Sequence, residues 1–532
     1  MQAYALTLDK FLDHAAKWSP DQDIVTAEDA GAISRIGYAA LRDRSRRLTA
    51  AFLALGLNFG DRVATLAWNS QAHLETYFAL MGAGMVCHTL NPRLTVAHLA
   101  AMVEEAKDRL LLVSSDLAPL AASVARVCPS LRGLVIMGGG DLERIAQEAP
   151  PGLAIWDYDV LLAAETAPAD WGGFHEETPA GLCYTSGTTG RPKGVLYTHR
   201  SNYLHTLRAL QADAFALTGR DSLLLAVPMF HANAWGLPFA APAVGARLIL
   251  PGRRLDGASL AKLMRAERAT IAVGVQTVWL GVADHLDREG GELPDLERIV
   301  IGGSHCPQAL IDRLEERLGA RVQTSWGMTE LSPLGVIASR DAAAEALNGA
   351  GRPLMGLDLK LTDAEGRTLP EQRGPIGHLR VRGHSVLDRY FMAEADSLDA
   401  EGYFDTGDLA SLDEAGNLTL RGRAKDLIKS GGEWINPAEI EEIVGRLPEV
   451  ALAAVIPRDD PKWGERPVLV VEPAQGRALE ADQLLDALRG RVADWWLPDQ
   501  VLIVREMPLA ATGKIDKPRL RAKYLDPKSG PV

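Results

Sequence analysis

Cysteine is scarce in this sequence and unpaired. The four in 532 residues, Cys87, Cys128, Cys183 and Cys306, form no C-x-x-C pair. Neither a zinc site nor a redox motif is visible, and a disulfide framework would be denser in a shorter chain, so reduced thiols in a cytoplasm are the expectation. Positive charge is also short. The formal net charge is -13, which argues against a nucleic-acid partner, and no polybasic run suggests docking on anionic lipid. An anionic substrate would have to be met by local cations and backbone N–H groups, because the overall field repels it. Long hydrophobic runs are missing as well. Residues 1–13 lack the basic and apolar regions of a signal peptide. The longest weakly polar stretch, 72–90, holds His73, Glu75, Gly82, Gly84 and His88. It fits a buried helix followed by a strand, so no transmembrane segment is expected. No internal repeat and no low-complexity tract stands out.

What is present is ordinary globular composition, 47% hydrophobic and 23% charged, with length for roughly two to four domains. Helical and strand patterns alternate through the N-terminal four-fifths. The spacing of Leu41, Leu48, Phe52 and Leu55 predicts an amphipathic helix over 38–55, and 62–68, 110–114 and 133–137 read as buried strands. The same rhythm returns at 221–228, 247–250, 270–275 and 298–301. Such alternation predicts an α/β fold with mainly parallel sheets. From about Gly356 short strands at 357–362, 377–381 and 417–420 are broken by Gly, Pro and Asp turns, which reads as a β-rich subdomain over 356–424. A last α/β piece follows, with helices over 437–447 and 481–492 and a strand over 451–456.

The segment that carries chemistry is Tyr184-Thr185-Ser186-Gly187-Thr188-Thr189-Gly190-Arg191-Pro192-Lys193-Gly194. Glycines let backbone approach an anion, hydroxyl and N–H groups donate to phosphate oxygens, and Lys193 adds a point charge. It shares the logic of a P-loop but not its pattern, since Pro192 precedes the lysine and Gly194 follows it. A loop between two strands is the expectation.

On this segment the sequence resembles the acyl-adenylate-forming superfamily: acyl-CoA synthetases, adenylation domains of peptide synthetases, and luciferases. Further motifs recur in order, Val227-Pro228-Met229-Phe230-His231, Ser325-Trp326-Gly327-Met328-Thr329-Glu330, Tyr403-Phe404-Asp405-Thr406-Gly407-Asp408, Gly422-Arg423-Ala424-Lys425-Asp426, Ser430-Gly431-Gly432-Glu433 and Thr512-Gly513-Lys514. The resemblance implies a large domain over 1–424, a small mobile α+β domain over 425–532, and use of ATP, Mg2+ and coenzyme A. It implies that Thr185, Ser186, Gly187, Thr188, Thr189 and Lys193 grip phosphate. Thr329 would touch the α-phosphate and Glu330 the Mg2+, a hard cation that wants oxygen ligands. Asp408 would accept from the ribose hydroxyls, with Arg423 beside it. Gly302, Gly303 and Ser304 would let adenine approach the backbone, with Trp326 stacking on it and Gly327 adjoining. Lys514 would be the key adenylation residue, although the family often has a basic residue and a Thr where Leu509 and Ala510 stand. Lys425 and Asp426 would form the hinge that swings Lys514 out and brings Gly431 and Gly432 toward the thiol's path.

On the acyl side, residues 231–240 and Gly431-Gly432-Glu433-Trp434 are similar to bacterial fatty-acyl-CoA synthetases. The resemblance sets His231 among the catalytic residues, at the carboxylate end of the acyl pocket, with Trp235, Gly302, Met328 and Pro333 in that pocket. Trp235 reads equally as a gate or as plain core. No Asp near His231 would pair with a substrate ammonium, whose burial alone is costly, so an uncharged tail is expected. A short to long fatty acid, 3-methylthiopropionate and aryl acids all stay open. Gly383-His384-Ser385 imitates a phosphopantetheine carrier motif but lacks a helical bundle around it, so it reads as a structural turn. The resulting expectation is an acid–thiol ligase, with a possible homodimer suggested by related enzymes. The alternatives are loading of a separate carrier protein, a luciferase-like oxygenase, and a non-catalytic nucleotide-binding scaffold.

Overall fold

The computed structural model describes residues 2–28, 31–185, 192–303, 306, 308–339, 350–474, 476–510 and 513–525. Among the described residues two large sheets dominate the first part of the chain. One has nine strands, and its central run from Asp23–Ala27 to Arg321–Gly327 is parallel. The other has seven, parallel except for the edge strand Lys193–Thr198, which pairs antiparallel with Pro179–Thr185. This is the α/β layering expected from the alternating patterns.

Side-chain alternation places each strand between two cores. Leu223 and Leu225 face a core shared by both sheets, while Leu224 faces an outer cluster. In the second sheet Val63 and Leu112 join the shared core and Ala64 and Leu111 the outer one. Strands buried on both faces explain the continuous apolar runs that marked them in the sequence. The helix Gln71–Gly82 is buried from His73 onward because it lies between the sheets. The Ser70 hydroxyl accepts from the His73 N–H at its start, and the strand Val86–Thr89 follows it. A helix buried on all sides belongs in such a central layer.

Leu357–Thr362, Gly377–Gly383, Phe404–Leu412 and Leu418–Arg423 form a four-stranded antiparallel sheet. It accounts for the β-rich texture after Gly356, with Leu361, Leu379, Val381 and Leu418 in its core. The Gly-His-Ser segment closes a turn there: the Val386 N–H donates to the Gly383 carbonyl at 3.1 Å, and Ser385 is 3% exposed. After the short turn Ala424–Asp426 a separate sheet begins at Ile428–Ser430. Its long hairpin, Val450–Asp460 with Gly464–Pro473, extends well beyond the strand read over 451–456. The second arm escaped notice because Pro467 and Pro473 interrupt a pattern that is otherwise strand-like.

Candidate active site

Parallel strands of both large sheets end at one cleft of about 2440 Å3, covered by the β-rich sheet and the C-terminal part. Ligands of open α/β sheets bind at the carboxyl ends of strands. The strand ends bring Thr89, Thr185, Gly302, Gly303, Trp326 and Gly327 to its walls.

Thr185 and Lys193 are register partners at the open end of the antiparallel pair, so the segment between them is a connection between strands. Ser186, Gly187, Thr188 and Thr189 lie outside the described residues, as do Ser304 and Thr512. Lys193 Nζ stands 4.9 Å from the centroid of the Tyr390 ring. Across the cleft Met328, Thr329 and Glu330 occupy the turn after the strand Arg321–Gly327. Backbone contacts hold this turn: the Tyr197 hydroxyl donates to the Thr329 carbonyl at 2.8 Å, and the Leu387 N–H to the Glu330 carbonyl at 2.8 Å. From behind, the buried Arg208 donates to the Leu334 carbonyl at 2.7 Å and the Leu334 N–H donates to His205 Nε2 at 3.0 Å. Pro333, in the same loop, lines the cleft.

Asp408 sits within the strand Phe404–Leu412, just past an irregularity in its pairing where Gly407 has φ +69°. Its Oδ1 meets Arg423 Nε at 2.9 Å and its Oδ2 accepts from the Trp326 indole N–H at 3.0 Å. Burial raises the Asp408 pKa, against the pull of Arg423 and of the indole bond. Trp326 borders the cleft with 5% of its surface exposed, packed in the core of the β-rich region, and a Cβ on Gly335 would lie 2.6 Å from its ring. Its polar edge orients Asp408.

Lys514 reaches into the cleft from the C-terminal part. The strand-like pair Leu509 and Ile515 brackets it, and the Ala510 N–H donates to the Lys514 carbonyl at 2.7 Å. Gly513, with φ +80°, abuts the end of the strand Ile271–Val275. The Thr277 hydroxyl donates to the Gly513 carbonyl at 3.4 Å. Opposite, a Cβ on Gly303 would lie 3.2 Å from Lys514 Cε. Desolvation and Arg423 lower the Lys514 pKa, while Asp408 and Glu330 raise it. Lys514, Glu330, Asp408 and Arg423 thus share one electrostatic environment.

His231 lines the same cleft. Desolvation, aided by Lys514, lowers its pKa to about 4, so the imidazole is neutral near pH 7. The chain then makes a left-handed turn, with φ between +44° and +58° from Ala232 to Trp235 and +76° at Gly236. Each non-glycine residue held there costs roughly 1–2 kcal/mol, and the surrounding core holds it in place. Trp235 is 7% exposed, packs in the shared core and also lines the cleft. A Cβ on Gly302 would meet its ring at 2.7 Å and Ser325 Oγ at 2.6 Å, so the missing side chain is what lets the indole lie there.

Lys425 and Asp426 occupy the turn between the two smaller sheets and border the cleft. Gly431 and Gly432 do not join it. They turn the hairpin between Ile428–Ser430 and Glu433–Ile435, where the Gly431 N–H donates to the Trp463 carbonyl at 2.7 Å. Tyr390, Thr277, Arg208 and His205 were missed by sequence reasoning. None belongs to a motif, and their hydrogen bonds span from 60 to 236 positions.

The residues fit MgATP. Glu330 Oε1 is taken by the Tyr390 hydroxyl, while Oε2 has no hydrogen-bond partner among the described residues. No group of three or more His, Cys, Asp or Glu among the described residues forms a metal cage. A single open carboxylate oxygen suits Mg2+, which usually keeps waters and arrives with substrate phosphates.

The AMP-binding enzyme family matches residues 12–391, and the AMP-binding enzyme C-terminal domain matches 439–514. The chain is 40% identical to the 3-methylmercaptopropionyl-CoA ligase of Ruegeria lacuscaerulensis, over 100% of this chain and 99% of that protein. It is 40% identical to the medium-chain-fatty-acid–CoA ligase of Ectopseudomonas oleovorans, over 99% and 97%. A crystal structure of ATP-bound MatB from Rhodopseudomonas palustris superposes with TM-score 0.83 at 26% identity, covering 98% of this chain and 99% of that one. No helix among the described residues is long and apolar enough to cross a membrane. With the motifs in order and the strand ends converging on one cleft, the chain belongs to the AMP-binding enzyme family, among its ATP- and CoA-using acyl-CoA ligases.

Proposed function

We propose that this chain joins a carboxylic acid with an uncharged aliphatic tail of short to medium length, a thioether acid such as 3-methylthiopropionate included, to coenzyme A. In the first half-reaction an acid oxygen attacks the α-phosphorus of ATP and pyrophosphate leaves. In the second the CoA thiolate attacks the acyl carbon and AMP leaves. The observation that carries this reading is the insertion of Lys514 between Gly303 and the carboxylates of Asp408 and Glu330. From there its ammonium can meet charge building between the acid and the α-phosphate. One preorganised donor of this kind is worth on the order of 3–4 kcal/mol. Thr329 donates to the same phosphate, Lys193 holds the outgoing pyrophosphate, and Asp408, steadied by Trp326 and Arg423, accepts from the ribose. Mg2+ held at Glu330 would neutralise phosphate charge.

The acyl side supports an uncharged tail. Neutral His231, the Trp235 indole, Gly302, Met328 and Pro333 bound the inner cleft. We further take 1–424 and 425–532 as two bodies hinged at Lys425 and Asp426. In the rotated arrangement Gly431 and Gly432 would reach the thiol's path. A homodimer and a cytoplasmic setting belong to the same reading. Four reduced, buried cysteines suit the latter.

The test is AMP release, with and without CoA, over fatty acids of increasing length, methylthio acids and aryl acids. Turnover with short or medium aliphatic acids and free CoA supports the reading. Turnover confined to aryl acids, or only with a phosphopantetheinylated carrier, overturns it.

A further inference from the structure

Residues 385–391 run between the two loops that face phosphate. At one end the Ser385 hydroxyl donates to the Leu331 carbonyl at 3.0 Å, and the Ser332 hydroxyl donates to the Ser385 carbonyl at 3.0 Å. The Leu387 N–H adds a bond to the Glu330 carbonyl at 2.8 Å. At the other end the Phe391 N–H donates to the Gly194 carbonyl at 2.8 Å. Gly194 has no room for a side chain there, since a Cβ would lie 2.9 Å from that of Phe391. The segment therefore straps the Thr-Glu turn to the start of the strand that carries Lys193.

Tyr390 touches both functional side chains. Its hydroxyl donates to Glu330 Oε1 at 2.8 Å, and Lys193 Nζ lies 4.9 Å from its ring centroid. The ring is in turn propped edge-on by Phe404, with centroids 6.3 Å apart. A donor fixed on Oε1 decides the rotation of the carboxylate and hence where Oε2 points.

We propose that Tyr390 is a positioning residue for metal–triphosphate binding: its hydroxyl orients Glu330 so that Oε2 stays open to Mg2+, and its ring seats the Lys193 ammonium at a set distance from that carboxylate. The inference rests on Glu330 being the Mg2+ ligand. Partners that orient a metal ligand without touching the metal change metal affinity about 10–100-fold when removed. Packing of an ammonium on a tyrosine face adds a smaller effect, of the order of a few-fold.

The experiment is calorimetric titration of ATP into the full chain, in excess Mg2+ and in EDTA. The original protein is compared with Tyr390→Phe, Tyr390→Leu and Glu330→Gln, after thermal unfolding shows each to be folded. Tyr390→Phe keeps the ring. It is expected to lose about tenfold of the Mg2+-dependent gain in ATP affinity, with binding in EDTA unchanged. Tyr390→Leu is expected to weaken binding in EDTA a few-fold as well, because Lys193 loses its support. Thioester formation from supplied acyl-adenylate, which needs no triphosphate, should be unaffected in both. If Glu330→Gln loses the Mg2+ gain and Tyr390→Phe keeps it, the inference about Tyr390 falls alone. If Glu330→Gln keeps it, the assignment of Glu330 falls and takes the inference with it.

Discussion

Single side chains in the cleft are judged by what they oppose. Lys514 feels the charges of Asp408 and Glu330 and would carry the adenylation step in the proposed mechanism. Lys514→Ala should slow acid-dependent ATP–pyrophosphate exchange by about 10²–10³ while leaving thioester formation from supplied acyl-adenylate near normal. The two half-reactions measured separately check this, and equal loss in both would remove Lys514 from the chemistry. Gly302 opposes an indole rather than a charge. In Gly302→Ala the new methyl would lie 2.7 Å from Trp235 and 2.6 Å from Ser325 Oγ. Overpacking of this kind typically costs about 1–3 kcal/mol, so kcat/KM should fall roughly 5- to 100-fold, with the longest accepted acids hit hardest. A chain-length profile unchanged in shape would detach Gly302 from the acyl pocket. At this scale a residue type within a short motif was enough to bring Glu330, Asp408 and Lys514 forward as candidates, and the structure sets all three at one cleft. The bond from the Trp326 indole to Asp408, 82 positions away, could not be read from either motif alone. Tyr390 was silent because an isolated tyrosine in a turn carries no local signal.

Short elements hold those residues in place, and one does so at a conformational cost. The left-handed turn over Ala232–Gly236 directs Trp235 toward Gly302. Nothing in its sequence announced it, since four of the five residues are not glycine and only the packed core makes the strain tolerable. The loop at Gly513 is different, because a glycine between Thr512 and Lys514 marks a turn openly. It adopts φ +80°, and a Cβ there would meet Thr277 Oγ1 and Val275 Cγ2, each at 3.0 Å. Gly513→Val would add backbone strain of about 1–3 kcal/mol and push the loop off the strand end. Pyrophosphate exchange should drop roughly 10- to 100-fold, with a much smaller change in the thioester half-reaction. Equal effects on both would mean that the contact with Thr277 does not select the adenylating arrangement. Strand and helix positions were largely legible. The helix expected over 38–55 is Tyr38–Ala54, and the strands at 110–114, 133–137 and 247–250 fall where read. Apolar periodicity reports burial directly, so such elements write themselves into the sequence, while hairpin arms broken by proline do not.

At the scale of the whole molecule the buried histidines link stability to pH. Burial lowers the pKa of His73 to about 4 and of His199 to about 3, and drives His205 well below its ordinary value. The folded chain keeps these imidazoles neutral while the unfolded chain protonates them below about pH 6.5. Between those limits the unfolded state binds more protons. Stability therefore falls as pH falls, by up to roughly 1.4 kcal/mol per pH unit for each such histidine. Asp108, Asp408 and Glu472 have raised values and pull the other way, so a net loss of a few kcal/mol is expected. Urea unfolding midpoints at pH 7.5 and pH 5.5 check the sign, and an equal or higher midpoint at pH 5.5 would refute it.

The sequence by itself determined the α/β class, the order of the motifs and the chemical types available for an adenylating site, because periodicity and glycine-rich turns are local properties. Only the tertiary structure decided which of those residues meet. It joined Trp326 to Asp408, set Lys514 against Gly303, left Gly431 and Gly432 apart from the cleft, and strapped Lys193 to Glu330 through Tyr390. Such pairings depend on sheet order and on how the C-terminal part docks, and long-range contacts of that kind leave no periodic trace along the chain.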